Sequence, residues 1–372
     1  MNTFYVKPHI YTGNDSVEYL HVFSDKTIWI ICDGFLVGSG GLDYVKKQLK
    51  HSNRIEIYDN VIPDPPLDAV ISGIQRMRGI KPDIVIALGG GSAIDTAKGI
   101  LYFAKKMNLA DVEQFIAIPT TSGTGSEVTS VTVITDTREK IKYPLKAPEI
   151  TPDVAILDPA FTLSIPHDIT ANTGIDVLTH AIEAYVSKNA TLCSDAMAEK
   201  SVQLVIEYLP KCCQELRNPR FREIMHEAST MAGMAFDIAG LGITHSIAHQ
   251  IGAQFHVPHG MANAMLLPHT IRFNSGKDLT ASNKYAYLAR LTGIVNNLCP
   301  DFQAVHAMST ALSQLLAQLG IPCCLTAFGL SREDVLPLIS SIAEQALRDI
   351  CMLTNPCGAS TDDVVQIINY IL

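Results

Sequence analysis

The residues whose types and spacing could do chemistry lie in two stretches, DVLTHAIEAY at 176–185 and HSIAHQIGAQFHVPHG at 245–260. Asp176 and His180 stand one helical turn apart, so on a helix they project from one face. His245 and His249 repeat that spacing, and His259 follows just past Pro258. One carboxylate and several imidazoles, with no cysteine pair beside them, suit a borderline divalent metal such as Fe(II) or Zn(II). An Asp/His pair at this spacing is by itself more often a surface hydrogen bond. The flanks here are Ala, Ile, Leu and Gly, where an unpartnered Asp or His is costly to bury. Something must satisfy these side chains.

A second kind of signal lies nearer the N-terminus. Gly89, Gly90, Gly91 and Ser92 separate the apolar run DIVIAL from the helical AIDTAKGILYFA. Glycines there let the backbone approach a phosphate, and a helix N-terminus offers free N–H groups with a favourable dipole. The spacing is not Gly-x-Gly-x-x-Gly, so the usual dinucleotide fingerprint is missing, and a turn without a ligand is an equal reading of this one feature. A second loop, Thr120-Thr121-Ser122-Gly123-Thr124-Gly125, follows another apolar run and adds hydroxyls. Two such loops at strand ends favour a nucleotide site, since ligands bind beyond the carboxyl ends of parallel strands.

Elements that could position these groups alternate in the first 160 or so residues: KTIWIICD, RIEIYD, DIVIALGGGS, QFIAIP, VTSVTVIT and DVAILD read as strands between helical stretches, the pattern of a parallel sheet. From Pro166 onward, IDVLTHAIEAYVS, AMAEKSVQLVIEYLP and AVHAMSTALSQLLAQLG follow one another with little strand signal. The expected architecture is a Rossmann-like α/β dinucleotide-binding domain over residues 1–162, then an all-helical metal-binding and catalytic domain over 163–372.

A chain of 372 residues, 47% hydrophobic and 17% charged, can bury two sizeable cores. The net charge of −9, with no basic block, argues against a nucleic-acid partner. No apolar run reaches the length of a membrane span, and MNTFYVKPHIYTG lacks the charged-then-apolar form of a signal peptide; a cytoplasmic location is expected. Nine cysteines, an odd number with adjacent pairs at Cys212-Cys213 and Cys323-Cys324, fit reduced thiols better than a disulfide framework or a zinc ribbon.

The long motifs ANTGIDVLTHAIEAYVS, GLGITHSIAHQIGAQFHVPHGMANA, GGGSAIDTAK and PTTSGTGSEVT together resemble those of the iron-containing (group III) alcohol dehydrogenases, over essentially the whole chain. Within that family the likeness is to the propanol dehydrogenases of propanediol-utilising bacteria. The resemblance implies a dehydroquinate synthase-like fold, and an NAD(H)-linked hydride transfer to or from a short-chain primary alcohol or aldehyde. The metal it implies is Fe(II), with Zn(II) as the alternative, held by Asp176, His180, His245 and His259. His249 matches the family histidine beside the nicotinamide, and Lys142 a lysine at the cofactor. Asp33, ending the first of the strands above, would accept from the adenosine ribose and repel a 2′-phosphate, favouring NAD; a turn residue before Gly34 is the plainer alternative. His256 has no assigned role. A homodimer or larger homo-oligomer is expected because dimers are the commonest soluble assembly, and the resemblance points to a place inside a bacterial microcompartment with shell proteins as neighbours.

A metal-dependent hydrolase is the main competing class, because imidazoles plus a carboxylate also activate water. HSIAH lacks the Glu that directly follows the first His of a zincin helix, and both glycine-rich loops would then serve nothing. A non-catalytic scaffold protein would be favoured by the loss of one ligand, and all four positions are filled.

Overall fold

The computed structural model describes residues 5–109, 111–137 and 141–372. Two compact units divide the chain. The first comprises residues up to Ile165 plus Arg217–Gly233; the second comprises Pro166–Leu216 and Met234–Leu372.

The first unit is built on a parallel sheet of β1 (His9–Thr12), β2 (Thr27–Cys32), β3 (Arg54–Tyr58), β4 (Ile84–Gly89), β5 (Gln114–Pro119) and β8 (Val154–Leu157), in the order β1-β8-β5-β4-β2-β3. Side chains of a strand alternate between faces. Ile28, Ile30 and Cys32 of β2 therefore join Ile84, Ile86 and Leu88 of β4 in one core, while Trp29, Ile31, Val85 and Ala87 join another on the opposite face. A sheet buried on both sides needs apolar strands throughout, which is why these runs show no polar alternation.

The strand order sets where a ligand can bind. From β2 the chain passes to β3 on one side, and from β4 to β5 on the other. The carboxyl ends of β2 and β4 therefore flank a topological switch point, the usual ligand crevice of an open parallel sheet.

Two features of this unit were not expected. VTSVTVIT does not join the parallel sheet: β6 (Val131–Asp136) pairs antiparallel with β7 (Ile141–Lys146) as a separate ribbon. A single cut at residue 162 also misplaces Arg217–Gly233, which packs with the first unit through Arg222 donating to Ile165 O at 2.8 Å and Thr230 donating to Glu127 at 2.7 Å.

The second unit is helical throughout its longer elements. The helix His167–Val186 is buried all round from Gly174 onward, as befits a helix central to its unit. The helix Ile243–Phe255 turns Ile243, Ile247, Ala248 and Ile251 into a core shared with Met265, Ile342, Ile367 and other apolar side chains. A fully buried side chain of this kind contributes about 1.5–3 kcal/mol, so the helix is fixed before any ligand is considered. None of the nine cysteines is in a disulfide. Among the described residues no single helix is long and apolar enough to cross a membrane.

Candidate metal centre and cofactor loops

Three helices of the second unit carry the metal-ligand candidates: His167–Val186, Ile243–Phe255 and His259–Lys277. The last two are joined by a short reversal. His256 adopts a left-handed conformation at φ 56°, Val257 is anchored in the core, and Pro258 precedes a new helix whose first residue is His259. That reversal brings His259 back beside His245, their ring centroids 5.3 Å apart. Gly260 permits the remaining approach. A Cβ on it would lie 2.2 Å from the backbone oxygen of Asn172, so only glycine lets the helix His259–Lys277 come this close to the helix bearing Asp176.

One donor atom each from Asp176, His180, His245 and His259 falls within 4.8 Å of the others. The Nε2 atoms of His245 and His259 lie 3.7 and 3.6 Å from Asp176 Oδ1, too far for hydrogen bonds. Donors at metal-bond lengths of about 2.1 Å around a tetrahedral ion sit roughly 3.4 Å apart, so these spacings match two ligands of one cation. Among the described residues the Nδ1 of His180 is buried without a hydrogen-bond partner, and its ring stacks on those of His245 and Phe236, each at 4.6 Å.

The electrostatics agree. Asp176 and Glu183 are buried carboxylates, 5% and 3% exposed. Burial opposes ionisation of Asp176, but His180, His259 and His245 outweigh it and hold its carboxyl well below the usual range. Burial likewise disfavours charge on His245, yet the flanking Asp176 and Glu183 carboxylates raise it to about 9. For His180 burial dominates, lowering it to about 4 and leaving a neutral imidazole with one nitrogen lone pair to donate. The pocket thus draws positive charge, and the residues present fit a divalent cation.

Glu183, absent from the sequence-derived site, accepts from His245 Nδ1 at 2.6 Å and from the backbone N–H groups of Gly242 and Thr244 at 3.0 and 2.7 Å. Fixing the proton on Nδ1 leaves the Nε2 lone pair for the metal side. Its signal was present: Glu183 lies two turns after Asp176 and so on the same helix face. Glu183→Gln is expected to weaken metal affinity about 10- to 100-fold, the usual cost of an outer-shell partner, as read by competition with a chromophoric chelator; unchanged affinity would make Glu183 a helix-end cap only.

His249 stands apart from the four donors. Its Nδ1 is 2.8 Å from Asp349 Oδ2, and its ring stacks on that of His259 at 5.4 Å. Asp349 and the buried thiol of Cys351 complete a small cluster with it. His256 is exposed and serves as the helix cap described above.

In the first unit, Gly89 ends β4 and Gly91 opens the helix Gly91–Lys106, with Ser92 next to it. Gly90, the N-cap residue, makes no side-chain cap, so the first N–H groups of this helix are left for a ligand. The loop after β5 packs directly on this turn. A Cβ on Gly91 would lie 2.7 Å from Thr124, and one on Gly90 3.1 Å from Thr121 Oγ1. Thr120 is nearly buried, whereas Thr121 and Thr124 are more open. Asp33 follows β2 at the switch point, its Oδ2 only 3.6 Å from where a Cβ of Gly89 would sit. It also caps the short helix Gly34–Gly38, accepting from Leu36 N at 3.1 Å, so the plain turn role is real and coexists with the position. Lys142 stands on β7 opposite Thr135, and its side chain lies outside the described residues.

Sequence reasoning also missed the clamp beneath these loops. Lys98 is completely buried and donates to Ser126 Oγ, Thr129 O and Val131 O at 2.9, 2.8 and 2.9 Å. Asp95, one turn earlier, accepts from Ser126 Oγ and Val133 N. Ser122 of the second loop meets His226 Nδ1 at 2.9 Å, which explains why Arg217–Gly233 belongs to this unit.

Comparison with known proteins matches the chain in two parts. Residues 8–159 match the family model "Iron-containing alcohol dehydrogenase", and residues 170–372 match "Fe-containing alcohol dehydrogenase family, C-terminal". The chain is 44% identical to the 1-propanol dehydrogenase PduQ of Salmonella typhimurium over 372 residues, covering 100% of both. Among solved structures, a 1,3-propanediol oxidoreductase superposes with a TM-score of 0.92 at 31% identity, covering 100% of both chains. A sulfoacetaldehyde reductase from Bifidobacterium kashiwanohense in complex with NAD+ does so at 0.87 and 27% identity, covering 100% of this chain and 98% of its own. With both halves matched and a full-length relative at this identity, the chain belongs to the iron-containing alcohol dehydrogenase family.

Proposed function

We propose that this protein interconverts a short-chain primary alcohol and its aldehyde, 1-propanol and propanal foremost, using NAD(H) and Fe(II), with Zn(II) as the competing metal. The observation that carries the reading is the convergence of Asp176, His180, His245 and His259 within 4.8 Å in a chain related along its full length to a 1-propanol dehydrogenase. Butanol, lactaldehyde or 1,2-propanediol, and 1,3-propanediol are the neighbouring substrates to be separated from it.

In this reading the first unit is the dinucleotide-binding domain and the second the metal-binding, catalytic one. When bound, the metal would supply the Lewis acid that stabilises an alkoxide or polarises a carbonyl, and the nicotinamide would supply the redox step. The protein's own residues do the rest. Asp176, His180, His245 and His259 hold the ion, and Glu183 keeps His245 in the tautomer that can do so. The open N-terminus at Gly91 and the Thr120–Thr124 loop receive the phosphates, while Asp33 takes the ribose hydroxyls. Asp349 occupies Nδ1 of His249, leaving Nε2 as the nitrogen that can accept the alcohol proton.

The test is an anaerobic substrate panel with protein reconstituted in Fe(II) and again in Zn(II), following NADH absorbance. Propanal is expected to give the highest kcat/KM among the small aldehydes, with Fe(II) the better metal. No turnover of any small aldehyde with either metal would overturn the assignment. We further propose a cytoplasmic homo-oligomer residing within a microcompartment, supported by the likeness to the propanol dehydrogenases of propanediol-utilising bacteria. Fractionation of the native host with shell proteins would test the placement, and sedimentation the assembly.

A further inference from the structure

We propose that Asn263 is a positioning residue of the metal centre, its carboxamide holding the metal-facing oxygen of Asp176 in register with His245 and His259. The proposal rests on the reading of Asp176, His180, His245 and His259 as ligands. Asn263 is completely buried, and its Nδ2 lies 2.8 Å from Asp176 Oδ1, 3.1 Å from His245 Nε2 and 3.2 Å from His259 Nε2. One amide nitrogen therefore touches a donor atom of three of the four ligands.

The chemistry of those contacts is unequal. An imidazole nitrogen has one lone pair, which a cation and an N–H cannot share. A carboxylate oxygen has more than one, so Asp176 Oδ1 can accept from the amide and still face a metal. The bond to Asp176 is also the shortest and is charge-assisted. It is the contact that survives loading of the site. Turning the carboxamide over would set its oxygen against the Asp176 carboxylate, so the donor edge is the one that belongs there.

A second observation points the same way. Asn263 Oδ1 is buried with no hydrogen-bond partner among the described residues. Leaving a buried acceptor unmet is costly, and an apolar side chain at this position would avoid that cost. The amide is explained by what its nitrogen does. Asn263 lies one turn after His259 on the helix His259–Lys277, whereas Asp176 is on the helix His167–Val186. Its hydrogen bond therefore ties together the two helices whose close approach Gly260 permits.

Chelator competition with Fe(II) and Zn(II) on the full chain tests this, alongside thermal melts with and without metal. Asn263→Ala removes the donor and is expected to bind either metal about 10- to 100-fold more weakly. Asn263→Asp keeps the shape but turns a donor into an acceptor facing Asp176, and it too is expected to bind more weakly than wild type. Should the alanine variant fail to fold, the isosteric aspartate carries the test. Tighter binding by Asn263→Asp would make residue 263 a direct ligand and overturn the proposal. So would wild-type affinity in Asn263→Ala with a lowered melting temperature, the signature of packing only. His245→Ala run in parallel separates the failures: if it keeps its metal, the ligand reading falls, and if it loses metal while both Asn263 variants bind normally, only the role of Asn263 falls.

Discussion

Replacing His245 with alanine is expected to strip the protein of metal, whereas replacing His249 leaves metal in place and lowers turnover by about 100-fold or more, the usual contribution of a positioned acid–base group. The two histidines share a helix face one turn apart, with ring centroids 6.0 Å from each other, so spacing does not divide their roles. Their partners do. His245 has Glu183 behind it and Asp176 ahead, is 1% exposed, and contributes a donor to the four-atom convergence. His249 has a side chain 30% exposed and is held by Asp349. Metal analysis of both variants beside their kcat values decides the matter. Comparable metal loss from the His249 variant would make it a ligand and remove the proton-transfer role. With His249 in the proton-transfer role, Asp349→Asn should resemble a mild His249 variant, with metal retained and kcat reduced.

Asp176 with His180, and His245 with His249, could be paired from the sequence because helical spacing is local and is read within single turns. His259 stood out by its place just past Pro258, but only the resemblance gave it a ligand role, since the reversal at His256–Pro258 that returns it to His245 depends on a left-handed residue and on Gly260. Partners that lie far away in sequence carried no local signal. Asp349 is a hundred residues from His249, and its short 3₁₀ neighbourhood reads as loop. Lys98 and Asp95 sat inside a quoted motif but read as ordinary helix polarity, because nothing local says that Ser126, Thr129 and Val131 close over them. In the fold, apolar runs such as IVIALG announced the central strands, while β1 is only four residues with a mostly exposed pattern and β7 is interrupted by Pro144. The segment Arg217–Gly233 was misassigned for the same reason. It is helical like the second unit's elements, and only its contacts, Ser122 with His226 and Glu127 with Thr230, place it with the sheet.

Asp33→Gly is expected to raise the ratio of NADP(H) to NAD(H) efficiency by about two orders of magnitude. Juxtaposed like charges cost several kcal/mol, and each 1.4 kcal/mol is tenfold in an equilibrium. The placement is what motivates the size. In the usual fingerprint the acid follows the glycines in sequence, and here it precedes them. The strand order removes that objection, because β2 and β4 are neighbours and Asp33 ends beside Gly89. In the proposed reading a carboxylate at the switch point meets the adenosine ribose from the adjacent strand end. The substitution is gentle on the fold, since glycine replaces a helix N-cap at a cost of a few tenths of a kcal/mol, and the helix concerned is the short Gly34–Gly38. Steady-state kcat/KM for both cofactors, in wild type and variant, gives the ratio directly. A wild type that already prefers NADP(H), or a variant whose ratio does not move, would reduce Asp33 to the cap of a turn.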